Sequence, residues 1–270
     1  MASSDLLIGP FTRFATTIFR NPIPMNSTTW LHYYQQNRLN RPEPQWDLPL
    51  NEHPAIVAEL ARSLSHFQLG ESGEGTHLLR EARRTHADDP AYQEALFLFI
   101  AEEQEHARLL QKLVERYRGR LVNRHWTHTL FRLFRRALGM GFELQVLVIA
   151  ELIGTAYYRL LENRSNDPVL RQVCELVLRD EARHIAFHAE RFGASQATWL
   201  PVEKALWLAQ FQALFLAALQ VAWTDHHRTL RTLRIGRGEF QRETRHECVQ
   251  FLASFAGAIT SRGSLPSPVS

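Results

Sequence analysis
Two short patterns in this 270-residue chain join an oxygen ligand to a nitrogen ligand: Glu103-Gln104-Glu105-His106 and Glu181-Ala182-Arg183-His184. On a helix, residues at i and i+3 share a face, so each pair can present a carboxylate and an imidazole to one centre. That donor set suits iron or manganese better than a metal that seeks thiolates. Alone, the pattern is weak evidence. A chain with 13 histidines meets it by chance, and Glu74-Gly75-Thr76-His77 is a further instance.

What gives the two pairs meaning is the set of elements that must hold them. Apolar residues step by 3 and 4 along four stretches, which predicts four helices with inward seams. The first seam carries Leu60, Leu64, Phe67, Glu71, Glu74 and Leu78. Along the second run Tyr92, Leu96, Phe99, Glu103, His106, Leu110, Leu113 and Tyr117. Leu144, Val148, Glu151, Thr155 and Tyr158 mark the third, and Leu170, Cys174, Val177, Glu181, His184 and His188 the fourth. Each seam is apolar except near its middle, where acids or histidines interrupt it. Carboxylates buried without partners are costly, so four such seams demand positive charge at the centre of the bundle. Two divalent metal ions answer that demand. The plain alternative is a bundle whose seam acids pair with arginines and whose histidines are satisfied polar residues.

An internal repeat supports the four-helix reading. One offset of 78 residues carries Asp89-Pro90 onto Asp167-Pro168, Glu102 onto Asp180, Glu103 onto Glu181 and His106 onto His184. It also carries Gly73 onto Glu151, which places the first-helix acid near Glu71 or Glu74 without choosing between them. Gly70, Gly73 and Gly75 are poor helix residues and fit a close-approach site or a local break.

Through Glu103-Gln104-Glu105-His106 and Arg179-Asp180-Glu181-Ala182-Arg183-His184, the chain resembles the ferritin-like di-iron carboxylate superfamily over roughly residues 55–192. Such bundles draw one Glu from each of two helices and Glu-x-x-His from each of the other two. The resemblance implies an all-α fold, a ferritin-like four-helix bundle holding two iron ions, or manganese with iron. Glu103 and Glu181 would bridge the metals and form the catalytic core. His106 and His184 would each cap one metal, with Glu151 and either Glu71 or Glu74 as terminal ligands. Glu102 and Asp180 would hydrogen-bond the ring N–H of the histidine on the opposite helix and fix its tautomer. Glu143 rivals Glu151 but falls one residue off the seam. His188, one turn after His184, is open to ligation or to a hydrogen-bonding role. A third imidazole would be similar to the N-oxygenase branch, but that branch is expected to place it before the motif glutamate, where this chain has Val177. Tyr92, Tyr157 and Tyr158 could approach the metals, although core packing is the commoner explanation for such aromatics.

The activity implied is that of an O₂-activating di-iron oxidase or oxygenase acting on a small hydrophobic or aromatic substrate, with Phe67, Leu96, Phe99 and Val148 beside it. Ferroxidase or iron-storage chemistry is the second reading, and a non-catalytic helical interaction module the third.

Outside the bundle the sequence is less specific. Residues 1–54 hold seven prolines and predict a wrapping arm without long helices. Pro90, Pro168 and Pro201 each stand where a helix would begin. Residues 196–270 predict further helices packed on the bundle or on a dimer partner. They start with the uncharged run Ala205 to Thr224, include an amphipathic segment Glu243 to Phe255, and end in a disordered tail from Gly263. Burial of 205–224 against the bundle or a second copy is favoured over membrane contact, although the run is long enough to span a bilayer. A homodimer is the expected assembly. The net charge of +3 and the arginines, such as Arg80, Arg83 and Arg84 or Arg132, Arg135 and Arg136, read as solvated helix faces and not as a nucleic-acid surface. Two widely spaced cysteines, Cys174 and Cys248, and an N-terminus without a secretory pattern suit the cytoplasm.

Overall fold
The computed structural model describes residues 26–123, 140–196 and 198–261, and throughout these the regular structure is helical. Helix α1 spans Ser27–Leu39, α2 Pro54–Glu71, α3 Thr76–Thr85, α4 Pro90–Arg116, α5 Met140–Arg164, α6 Pro168–Ser195, α7 Pro201–Thr232 and α8 Arg237–Ser261. Four of these, α2, α4, α6 and α7, begin with proline at the first helical position, where its fixed φ fits and its missing N–H is not needed. Asp89 and Asp167 cap α4 and α6, their carboxylates accepting from Tyr92 N and Val169 N. The 78-residue repeat is therefore real at the level of caps: both copies start with the same Asp-Pro device.

The bundle is made of α2 packed along α4 and α5 packed along α6, with α4 meeting α6 across the middle. Only Ser165 to Asp167 join α5 to α6, which forces them into an antiparallel pair. Leu60, Leu64, Leu96, Leu110, Val148, Leu152, Leu170, Val173 and Val177 are all fully buried between them. Helix α8 lies against α5 and α6, and α7 against α2 and α5. The polar contacts of α7 are specific: Thr229 Oγ1 donates to Glu59 O, and Gln210 Nε2 to Gln145 Oε1.

Two expectations need correction. The first seam is not one helix from Leu60 to Leu78, because α2 stops at Glu71 and α3 restarts at Thr76 on a new axis. Gly75, at φ +59°, makes the turn, and a Cβ there would stand 2.4 Å from Ile100 Cδ1. Nor is the N-terminal segment only an arm. Helix α1 runs 13 residues and buries Trp30 and Tyr34 against the bundle, while residues 40–53 do wrap it in irregular conformation. Arg116 holds that stretch by donating to Trp46 O and Leu48 O. The prolines at 10, 22 and 24, the arginines at 132, 135 and 136, and the tail from Gly263 lie outside the described residues.

Among the described residues, two helical stretches are long and apolar enough to cross a membrane. In the most apolar 18-residue window of Gly141–Arg164 83% is buried, as in a core helix, whereas in that of Pro201–Thr232 22% is. The latter turns Trp207, Phe211, Phe215, Leu219 and Trp223 inward and leaves Leu206, Leu208 and Leu216 exposed.

Candidate metal centre
Glu103 and His106 sit mid-way along α4, Glu181 and His184 mid-way along α6, Glu151 mid-way along α5, and Glu71 at the last residue of α2. All six face one another inside the bundle. One oxygen or nitrogen from each of Glu103, Glu151, Glu181 and His184 falls within 4.8 Å of the others, and the same holds for Glu71, Glu103 and His106. Glu103 belongs to both groups. Glu181 lies between the two rings, its Oε1 3.6 Å from His106 Nδ1 and its Oε2 3.7 Å from His184 Nδ1.

Each imidazole is held from behind. Asp180 Oδ2 accepts from His106 Nε2 at 3.1 Å, and Glu102 Oε2 accepts from His184 Nε2 at 3.0 Å. These bonds cross between α4 and α6. In the neutral ring they keep the proton on Nε2, so that Nδ1, which faces the carboxylates, is the atom free to bind a cation. His106 Nδ1, His184 Nδ1, Glu103 Oε1, Glu151 Oε2 and Glu181 Oε2 are all buried without a hydrogen-bond partner. His184 Nδ1 and Glu103 Oε1 stand 2.8 Å apart without hydrogen-bond alignment. Buried polar atoms are ordinarily satisfied, so five convergent orphans of ligand type fit a pair of cations.

The charges show the same demand. Burial, then the charges of Glu103, Glu181 and Glu151, push the Glu71 carboxyl well above the usual carboxylate range. Burial raises Glu181 to about 7, with Glu103 and Glu151 adding to the rise and His184 opposing it. Glu103 goes the other way, to about 2, because contact with His184, then the hydrogen bond with Glu71 and the His106 charge together outweigh its burial. Burial opposes the charged form of His184, but Glu102, Glu103 and Glu181 raise it well above an ordinary histidine. Without metal the site must hold protons in place of cations.

The structure separates the alternatives left by the sequence. It brings Glu71 into the cluster and leaves Glu74 exposed in the break between α2 and α3. Glu143 is engaged elsewhere, 2.7 Å from His77 Nδ1, so the third Glu-x-x-His match, Glu74 to His77, is unrelated to the centre. His188 Nε2 donates to Glu151 Oε1 at 2.9 Å, which leaves Glu151 Oε2 turned to the cluster. Val177, the position before the motif glutamate, is a fully buried core residue. Of the tyrosines, Tyr158 lies by Glu71 and Glu181, whose charges add to burial in raising its phenol. Tyr157 hydroxyl instead meets Ser63 Oγ at 2.5 Å, and Tyr92 packs under the Arg191 guanidinium. Phe99 lies edge-on to His184, with ring centroids 4.6 Å apart.

Residues missed by the sequence reading come from α1 and the turn after it. Asn37 Nδ2 donates to Glu102 Oε1 at 2.7 Å and to Asp180 Oδ1 at 3.0 Å, and an Arg41 Nη atom lies 2.5 Å from Asp180 Oδ2. Trp30, Tyr34 and Asn37 follow helical spacing, the local signal that could have found them, while Arg41 lies past the helix end.

A family model described as P-aminobenzoate N-oxygenase AurF matches residues 75–259. The chain belongs to this family of di-iron ferritin-like oxygenases. Comparison with curated proteins and with solved structures gave no match. The family match includes α3 through most of α8 and five of the six clustered residues; Glu71 and all of α1 lie before it.

Proposed function
We propose that this AurF-family chain is an oxygenase that uses two iron ions, with manganese and iron as the alternative pair, to insert oxygen from O₂ into a small hydrophobic or aromatic molecule. The observation that carries the proposal is the convergence of five buried ligand-type atoms from α4, α5 and α6 that make no aligned hydrogen bond. Glu103 and Glu181 would bridge the ions, His106 and His184 would bind one each, and Glu71 and Glu151 would be terminal ligands. The metal pair supplies the redox chemistry with O₂.

The chain supplies the rest. Glu102 and Asp180 keep each imidazole in the tautomer that leaves Nδ1 free. His188 fixes the rotamer of Glu151 through Oε1. Phe99 and the apolar seam around the cluster exclude water, which strengthens every electrostatic interaction inside. The family's description makes an aromatic amine the first substrate class to test. Insertion of one atom of O₂ with reduction of the other to water requires an external reductant. Assembly as a homodimer in the cytoplasm belongs to the same proposal and is supported by the sequence alone.

Anaerobic Fe(II) titration followed by O₂ exposure tests the core of the proposal. Two irons per chain and an O₂-dependent visible absorption, both lost in Glu103→Ala and Glu181→Ala, are expected. Absence of stoichiometric iron in a folded parent chain overturns the proposal. A loaded protein that consumes O₂ with a reductant but oxygenates no aromatic amine, phenol or hydrocarbon overturns its substrate part.

A further inference from the structure
Helix α1 and the turn that follows it lie outside the family match, yet they touch the two acids on which both histidines depend. Trp30, Tyr34 and Asn37 fall at i, i+4 and i+7, a single face of α1 turned to the bundle, and Arg41 follows just past the end of the helix. Trp30 and Tyr34 are buried on it, and Trp30 Nε1 donates to Glu190 on α6. That apolar anchor brings Asn37 over the seam between α4 and α6. Its Nδ2 has two N–H bonds, and Glu102 and Asp180, the equivalent residues of the two repeats, each accept from it. Arg41 then pairs with Asp180 Oδ2, the same oxygen that accepts from His106. Its side chain is 11% exposed and that of Asp180 is 0%, so the pair is largely shielded from solvent.

We infer that α1 is a strap that completes the outer shell of the metal site, with Asn37 and Arg41 as positioning residues for the two histidines. The inference rests on the reading of His106 and His184 as metal-holding. A carboxylate orients a ring only if its own remaining lone pairs are fixed. Glu102 has Oε2 on His184 and Oε1 on Asn37, while Asp180 has Oδ2 on His106 and Arg41 and Oδ1 on Asn37 and, at 3.3 Å, on the half-exposed Arg179. The arrangement is asymmetric, and that makes it testable. Asn37 supports both histidines, whereas Arg41 supports the acid behind His106 alone. Loss of an outer-shell partner weakens metal binding by about 10- to 100-fold.

The test is anaerobic Fe(II) titration of the full chain, resolving two dissociation constants, with melting of the metal-free protein in parallel. Arg41→Ala is expected to weaken one constant by about 10- to 100-fold and leave the other within about twofold, whereas Asn37→Ala weakens both. Arg41→Lys, which keeps a cation near Asp180, recovers part of the loss. Ser27→Ala is the control, since Ser27 Oγ anchors α1 to Asp89 Oδ2 far from the acids. It is expected to lower the melting temperature while leaving both constants unchanged. A parent chain that loads two irons, together with an Arg41→Ala chain whose constants are both unchanged, overturns the strap alone. So does an equal loss in Ser27→Ala, which would show a merely structural role for α1. A parent chain that binds no iron overturns the site reading and the strap together. If Asn37→Ala does not fold, the comparison of Arg41→Ala with Arg41→Lys decides.

Discussion
Glu181→Gln should make the metal-free protein more stable while destroying its metal site. Glu181 is 2% exposed, and its carboxyl is raised from 4.5 to about 7, first by burial and then by the charges of Glu103 and Glu151. Between those two values the folded chain holds a proton that the unfolded chain has released. Stability of the metal-free protein therefore falls as pH rises through this window. Above about pH 7 the full cost is present, and a displacement of that size corresponds to about 3 kcal/mol. Glutamine keeps the shape, removes the charge, and offers its amide N–H groups to the carboxylates of Glu103 and Glu151, which lie in the same cluster. With roughly 2 to 4 °C of melting temperature per kcal/mol at this chain length, the variant should melt about 6 to 12 °C higher than the parent at pH 8 with chelator present. The difference should shrink toward zero near pH 5, where the parent also carries the proton. Added Fe(II) should raise the parent's melting temperature and leave the variant's unchanged. The assay is a thermal melt by circular dichroism at the two pH values, with chelator or iron. A variant that melts below the parent at pH 8 in chelator refutes the claim that this carboxylate is buried against like charges.

Metal loading should expel protons, because Glu71, Glu181, His106 and His184 are all shifted upward in the metal-free site. On the order of two protons per chain should appear in a weakly buffered dye assay at pH 7, and iron affinity should rise from pH 6 to 8; loading without proton release contradicts the charge accounting. Gly75→Ala should cost about 1–3 kcal/mol by denaturant titration, since the residue holds φ +59° and a Cβ would meet Ile100 Cδ1 at 2.4 Å. A neutral result would mean that the α2–α3 break is not fixed by this glycine.

How far the site could be read from the sequence depended on the distance over which each interaction is written. Glu103 with His106 and Glu181 with His184 are legible because their chemistry sits within one helical turn, and the Asp-Pro caps in register with them fix where each helix begins. The same repeat sets Glu102 and Asp180 at equivalent positions, whereas their contacts with the opposite histidines were implied only by the family resemblance. Glu71 and Glu74 could not be separated, because periodicity assumes that a helix continues, and the left-handed Gly75 ends that assumption. Past the break the count of 3 and 4 loses phase, which is why Glu74, on the extrapolated seam, is exposed in fact. Helix α1 was hidden for a different reason. Its flanking prolines count against a long helix, and its polar residues find partners 65 and 143 positions away. An asparagine that donates once to each repeat has no local signature, since neither contact exists until α4 and α6 are already side by side. The same holds for Glu143, one residue off the seam, whose partner His77 lies 66 positions earlier in the chain. The Glu-x-x-His pairs can therefore be recognised within a turn of sequence, whereas the residues of α1 that contact Glu102 and Asp180 become visible only once the bundle has closed around them.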